Sequence, residues 1–157
     1  MFEGRVVAIY IAPEAGAPME PVDEVEAVAG AGLSGDRYAT AAGTYSGTRV
    51  PDAQRAVTLI EREAIDAARA EAGIPLDEGE IRRNVVTVGA PLNHLVDREF
   101  TVGSVRLRGV NLSEPCAYLE QRTRPGVRGA LIHRGGLRAE ILDGGPLRVG
   151  DVVAPLP

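Results

Sequence analysis

Phe100-Thr-Val-Gly-Ser-Val-Arg-Leu-Arg-Gly-Val110 carries the reading of the fold. Phe100–Val102 and Val105–Val110 lie on either side of Gly103-Ser104, the pattern of two strands joined by a tight turn. The same shape returns at Leu147-Arg-Val-Gly-Asp-Val152. Two copies of so short a pattern read as two similar turns, not as a duplication. Around them, Glu140–Leu142 and Leu147–Val149 flank Asp143-Gly-Gly-Pro146, and Val152-Val153 follow Gly150-Asp151. Glycine and proline, 19 and 11 residues, punctuate the rest at similar spacing, which favours short strands joined by turns.

Arg5–Ile11 (RVVAIYI) is apolar and β-branched and reads as a first, buried strand. Val22–Val28 reads as a strand interleaved with acids. Ala56–Ile60 and Asn84–Val88 are further strands, and residues 29–49 read as irregular. Glu61–Ala72 (EREAIDAARAEA) is the one clear helix, built of strong helix formers. Ile65 and Ala68, with Ala64 and Ala72, form its apolar stripe. Glu61 and Glu63 suit the dipole of its first turn, and Gly73 and Pro75 end it. A short helix is expected over Glu114–Gln121, with Ser113 as N-cap and Pro115 in its first turn. The sum is a mostly β, barrel-like fold with one long and one short helix. No linker divides it, so residues 1–157 read as a single domain.

Composition narrows the chemistry. The chain has 157 residues, 45% of them hydrophobic, and a formal charge of −5. All 17 basic residues are arginine, so no lysine amine is present for a pyridoxal phosphate Schiff base or a P-loop. A single cysteine, Cys116, excludes an internal disulfide and leaves a structural zinc site short of ligands. Net acidity and six aromatic residues argue against nucleic acid as partner. No apolar run reaches the ~18 residues of a membrane span. Met1–Arg5 lacks the pattern of a signal peptide, so a cytoplasmic location is expected.

Four features bear on function. Cys116 falls at the start of the expected short helix, where the dipole favours thiolate over thiol. Arg122–Arg138 (RTRPGVRGALIHRGGLR) holds five arginines and no acid, a local reversal of the net charge. Guanidinium groups bind phosphate and carboxylate through forked hydrogen bonds, and Arg134-Gly135-Gly136 adds a turn whose amides suit an anion. Gly30-Ala-Gly-Leu-Ser-Gly-Asp-Arg-Tyr38 is glycine-rich, and its Gly35 and Asp36 are candidate contacts for a bound group. Arg82-Arg83-Asn84 leads into a strand with two cations and an amide. Each also has a plain structural explanation: a buried thiol, a solvated basic face, a loop, a salt-bridged strand start.

In order and spacing these segments resemble a known family. Leu33-Ser-Gly-Asp-Arg-Tyr38, Arg55-Ala-Val-Thr-Leu-Ile60, Arg82-Arg-Asn-Val-Val-Thr87 and Leu92-Asn-His-Leu95 come first. Phe100-Thr-Val-Gly103, Glu114-Pro-Cys116, Arg134-Gly-Gly-Leu-Arg-Ala139 and Val149-Gly-Asp151 follow. The set is similar to a MOSC domain, the module named for the C-terminal part of molybdenum cofactor sulfurase, and most clearly so over residues 30–154. The resemblance implies a β-barrel-like fold and a catalytic cysteine, at Cys116, that carries sulfur or ligates molybdenum. It implies molybdopterin as cofactor, held through Arg82, Arg83, Asn84, Arg134, Gly135, Gly136, Gly35 and Asp36. It implies a sulfur donor or acceptor protein as a further partner. Related reductases act on N-hydroxylated compounds, which is the alternative activity, and a non-catalytic module for a small anion is a third. Some single-domain relatives carry His-Gly-Gly shortly after Gly-Asp; here that place reads Ala41-Ala-Gly-Thr-Tyr45, a different loop.

Overall fold

The fold is a seven-stranded closed barrel, here in a computed structural model that describes residues 1–47 and 50–156. The last two residues of the 29–49 segment, and the final residue of the expected 1–157 domain, lie outside the described residues. The strands are β1 (Gly4–Ile11), β2 (Glu20–Val22), β3 (Glu24–Val28), β4 (Gly32–Leu33), β5 (Val57–Glu61) and β6 (Val85–Val88). They continue with β7 (Glu99–Val102), β8 (Val105–Leu112), β9 (Leu137–Asp143), β10 (Gly145–Arg148) and β11 (Val152–Pro155). The helices are α1 (Arg62–Ala72), α2 (Ala117–Arg122) and the single turn α3 (Val127–Ala130). Around the barrel the order is β11-β7-β8-β9-β5-β6-β1, and β1 pairs back to β11 through Gly4↔Val153 and Arg5↔Val152. Full closure leaves the barrel no free edge.

The strand expected over Val22–Val28 divides at Asp23. Its first part, β2, pairs with the far half of β1, while β3 joins β4 and β10 in a separate three-stranded sheet. Val25, Ala27, Leu33 and Leu147 of that sheet pack into the barrel core. The 29–49 segment, expected to be irregular, therefore contributes one short strand, β4.

One pairing is parallel. β5 runs alongside β6, and α1 is part of the crossover between them. The reason lies in the sequence. Val57 and Leu59 of β5 face the barrel, while Ile60 faces outward into a second core. On β6, Val85 points in and Val86 points out. A strand buried on both faces reads as a β-branched run without polar alternation, as VVTV does, and the one hydroxyl, of Thr87, donates to the Ile60 carbonyl. Ile65 and Ala68, the centre of the expected stripe, press on that outer face with Leu119, Val127 and Leu131. Gly73 ends α1 in the left-handed region at φ 63°, as a C-terminal glycine should.

The barrel interior is filled by Phe100, Leu59, Leu107, Leu137, Ile9 and their neighbours. Phe100 is fully buried. Phe100→Ala should lower the unfolding free energy by ~3–5 kcal/mol, through lost burial and the cavity left behind. Urea titration reads this directly, and a loss below ~1 kcal/mol would contradict packing of the barrel around this ring.

Candidate functional site

Cys116 stands at a corner between strand and helix. Asn111 and Leu112 still pair with Arg138 and Leu137 of β9, and the amide of Ser113 donates to the carbonyl of Gly136 at 2.7 Å. Ser113 thus extends the strand and does not cap the helix, contrary to expectation. Pro115 cannot donate to a ladder and bends the chain away. Cys116 keeps extended backbone (φ −124°, ψ 171°) and becomes the N-cap, its carbonyl accepting from the amide of Glu120 at 3.2 Å.

The thiol opens into a cavity of about 330 Å³. Arg37, Arg55, Arg82, Arg83 and Arg138 line it, with Tyr38, Tyr45, Tyr118, Thr58 and Ser113. Its one lining carboxylate, Glu114, is engaged by the Nδ1 and the amide of His133 at 3.0 and 2.8 Å. Arg37 is paired with Asp36 at 2.9 Å, and Arg55 reaches Asp52 at 3.7 Å. Among the described residues, Arg82, Arg83 and Arg138 have no carboxylate partner.

These three guanidiniums are held in different ways. Arg83 donates to three carbonyls: Gly135 at 2.7 Å, Ser113 at 2.9 Å and Ile81 at 3.2 Å. Burial lowers its pKa to about 10, against the pull of the Cys116 charge. Arg82 donates to the carbonyl of Ala17 at 2.6 Å, while its Nη2 is buried without a partner among the described residues. Burial and the neighbouring Arg37 depress its pKa too. Arg138 is likewise depressed, by burial and then by Arg55. Arg82 adopts the left-handed region (φ 63°), so two successive arginines face one cavity, which an extended strand forbids.

The sulfur has its own shell. The Tyr45 hydroxyl lies 2.9 Å from Sγ. Burial pushes the thiol up, but the Tyr45 hydroxyl, the amides of Leu119 and Tyr118 and the charge of Arg83 together bring it below the ordinary value. Sγ makes no capping bond of strict geometry to those amides, so they act on it as dipoles. Tyr45 shifts the other way: the bond to Cys116, then burial, holds its phenol protonated. When the sulfur is a thiolate, the phenol donates and the sulfur accepts.

The structure brings together Cys116, Arg82 and Arg83 from the residues singled out in the sequence. The others lie outside the cavity lining. Asn84 stitches strands: its Oδ1 accepts from the Thr58 amide at 3.1 Å and its Nδ2 donates to Tyr10 at 3.1 Å. Asp36 accepts from the amides of Ala12 and Tyr38 and from Arg37, and so organises the turn after Gly35. Arg134 turns outward to the carbonyl of Ala130 and to Glu71. Gly135 and Gly136 serve close packing. A Cβ on Gly135 would meet the Ser113 oxygen at 2.5 Å, and one on Gly136 the Leu59 oxygen at 2.2 Å. Arg37, Arg55 and Arg138 stand in motif segments, yet nothing marked them individually. Tyr45 carried no signal at all. Among the described residues no group of three His, Cys, Asp or Glu side chains could hold a metal ion.

A family model described as the MOSC domain matches residues 34–154, which include every residue of this lining. The chain belongs to the MOSC domain family. The same fold is present in the YUAD protein from Bacillus subtilis, with a TM-score of 0.80 at 18% identity, covering 98% of this chain and 97% of that one. YiiM from Geobacillus stearothermophilus gives a TM-score of 0.73 at 14% identity over 98% and 75% of the two chains. YiiM from Escherichia coli gives 0.66 at 17% over 98% and 70%. No curated protein matches the chain. No helix of the described residues is long and apolar enough to cross a membrane.

Two predictions follow from this geometry. Gly136→Ala should cost more than ~2 kcal/mol in urea unfolding, because φ 116° and the Leu59 carbonyl both exclude a side chain. A near-neutral outcome would contradict the close approach of β9 to β5. Tyr45→Phe should raise the pH midpoint of Cys116 alkylation by about one unit, the worth of one hydrogen bond to a charged group. The Tyr45 hydroxyl is one of the groups that lower the thiol pKa, so losing the donor moves the midpoint up. An unchanged midpoint in the rate of iodoacetamide alkylation against pH would show that Tyr45 does not stabilise the thiolate.

Proposed function

We propose that this MOSC domain binds a molybdopterin-type cofactor in the arginine-lined cavity and presents Cys116 to it, as a molybdenum ligand or as a carrier of sulfur. One observation supports the reading above the others. Among the described residues, three guanidiniums without carboxylate partners surround a thiolate-favouring cysteine, and one of them has a buried nitrogen with no partner.

Burying unpaired cations is costly unless something compensates them. An anionic group does so, and a phosphate matches the forked donors of Arg82 and Arg138. Cys116 offers a single soft donor, suited to a metal whose other ligands come from the cofactor. The residues present thus fit the group. When bound, the cofactor would supply redox chemistry or accept sulfur. The chain's own residues do the rest. Arg82 and Arg138 bind the anion, and Arg83 fixes the Ser113–Cys116 corner while adding its charge. Tyr45 and the helix amides keep sulfur in its anionic form. With no lysine in the chain, pyridoxal phosphate has no amine here for an aldimine, and sulfur for Cys116 would come from a separate donor protein.

Protein produced in a cofactor-replete host should carry molybdenum, read by mass spectrometry, and pterin, read by fluorescence after oxidation. Cys116→Ser should lose metal or persulfide labelling and keep pterin. Arg82→Ala should lose pterin and metal together, by roughly tenfold, as removal of a charge-assisted hydrogen bond implies. Wild-type protein free of both, or a Cys116→Ser variant with metal and persulfide labelling unchanged, would overturn the reading.

A further inference from the structure

Tyr45 stands at the cavity wall, yet 47% of its surface is exposed. Its hydroxyl makes one polar contact among the described residues, the 2.9 Å bond to Sγ of Cys116. The Arg55 guanidinium lies over its ring, 5.6 Å from the centroid. The turn that bears it is closed on itself, with the Gly43 amide donating to Ser46 Oγ at 3.0 Å and the Ser46 amide to the Gly43 carbonyl at 3.1 Å. Gly43 packs so tightly on Tyr38 that a Cβ there would come within 2.5 Å of the ring. The turn is therefore closed and packed, and the tyrosine side chain reaches from it to the sulfur.

Both contacts of that side chain are ones an incoming anion contests. Among the described residues Arg55 has the exposed Asp52 as its carboxylate partner, at 3.7 Å, and it lines the cavity together with Arg138, close enough for the two charges to repel. A guanidinium over an exposed ring is held weakly, and a phosphate-like anion with forked acceptors holds it far more strongly. Drawing Arg55 toward Arg138 removes the cation from the ring face, and a ligand seeking the sulfur competes with the phenol for Sγ.

We propose that Tyr45 is a ligand-displaced latch on Cys116: it covers the sulfur while the cavity is empty, and anion capture by Arg55 and Arg138 releases it. This rests on the reading of the cavity as an anion site. The latch withholds the only thiol of the chain from solvent electrophiles and exposes it when a ligand is in place.

The test uses the full chain with N-ethylmaleimide, a neutral thiol reagent, at a pH above the thiol midpoint of every variant. Inorganic phosphate is compared with chloride at equal ionic strength, and thermal shift reports phosphate binding separately. In chloride, Tyr45→Ala should label at least tenfold faster than wild type, and Tyr45→Phe, which keeps the ring, only a few-fold faster. Phosphate should accelerate labelling of wild type several-fold. Arg55→Ala, which lacks the cation on the ring, should label faster than wild type already in chloride, keep a thermal shift through Arg82 and show no further acceleration by phosphate. The chain has no tryptophan, so emission from its 4 tyrosines should change with phosphate, and by less in Tyr45→Phe than in wild type. Equal labelling of Tyr45→Ala and wild type overturns the latch. A thermal shift with unchanged or slower wild-type labelling overturns the release step alone. No thermal shift in wild type overturns the anion reading of the cavity and the release step with it.

Discussion

Arg83 holds three carbonyls and no carboxylate, and the site depends on that choice. Its guanidinium spans Ile81 before β6, Ser113 after β8 and Gly135 before β9. These segments are distant in sequence and meet where the barrel strands end. A carboxylate in that bracket would tie them equally well but would cancel the charge. Neutral acceptors satisfy the geometry and leave the cation for the cavity. One side chain therefore fixes the Cys116 corner and biases its sulfur toward thiolate.

The cost of this arrangement falls on stability. Arg82, Arg83 and Arg138 all show the depressed pKa of cations drawn out of water. Arg82 adds a left-handed backbone, unusual outside glycine, and a nitrogen without a partner among the described residues. Such departures gather where function requires them, and the closed barrel supports them from below. Val57 and Leu59 in one core and Ile60 in the other pin β5 from both sides, which fixes Thr58 in the cavity lining, and Asn84 behind the lining bonds to it.

The barrel was legible because local signals agreed with tertiary demands. VVTV on β6 lacks polar alternation because both faces are buried, and Gly103 and Gly73 stand where φ is positive. The cavity was only half legible, because nearness along the chain is not nearness in space. Of the Arg122–Arg138 block, Arg138 alone reaches the lining. Arg122 bonds to Gly16, Arg124 to Glu80 and Arg134 to Glu71, since two helical turns send successive side chains in different directions. The Asn84 amide suits a ligand by its chemistry, and in the fold it bonds to Thr58 and Tyr10. Gly135 and Gly136 suit an anion turn by sequence, and in the fold both lie where a Cβ would meet a carbonyl oxygen. Tyr45 reaches Cys116 from 71 positions away, a contact that only the fold creates.

Charge tells the same story at larger scale. Residues 1–30 hold six acids and one arginine, so the net −5 belongs to that segment. The remainder is balanced, and the fold decides who is paired with whom. Glu78 takes Arg62, Glu80 takes Arg124 and Glu71 takes Arg134, all outside the cavity lining. Spending carboxylates on peripheral arginines leaves Arg82, Arg83 and Arg138 without one among the described residues, while Arg37 keeps Asp36. An acidic protein thereby acquires a positive pocket, and the sign of the field that a ligand meets follows from the pairing pattern and not from the isoelectric point.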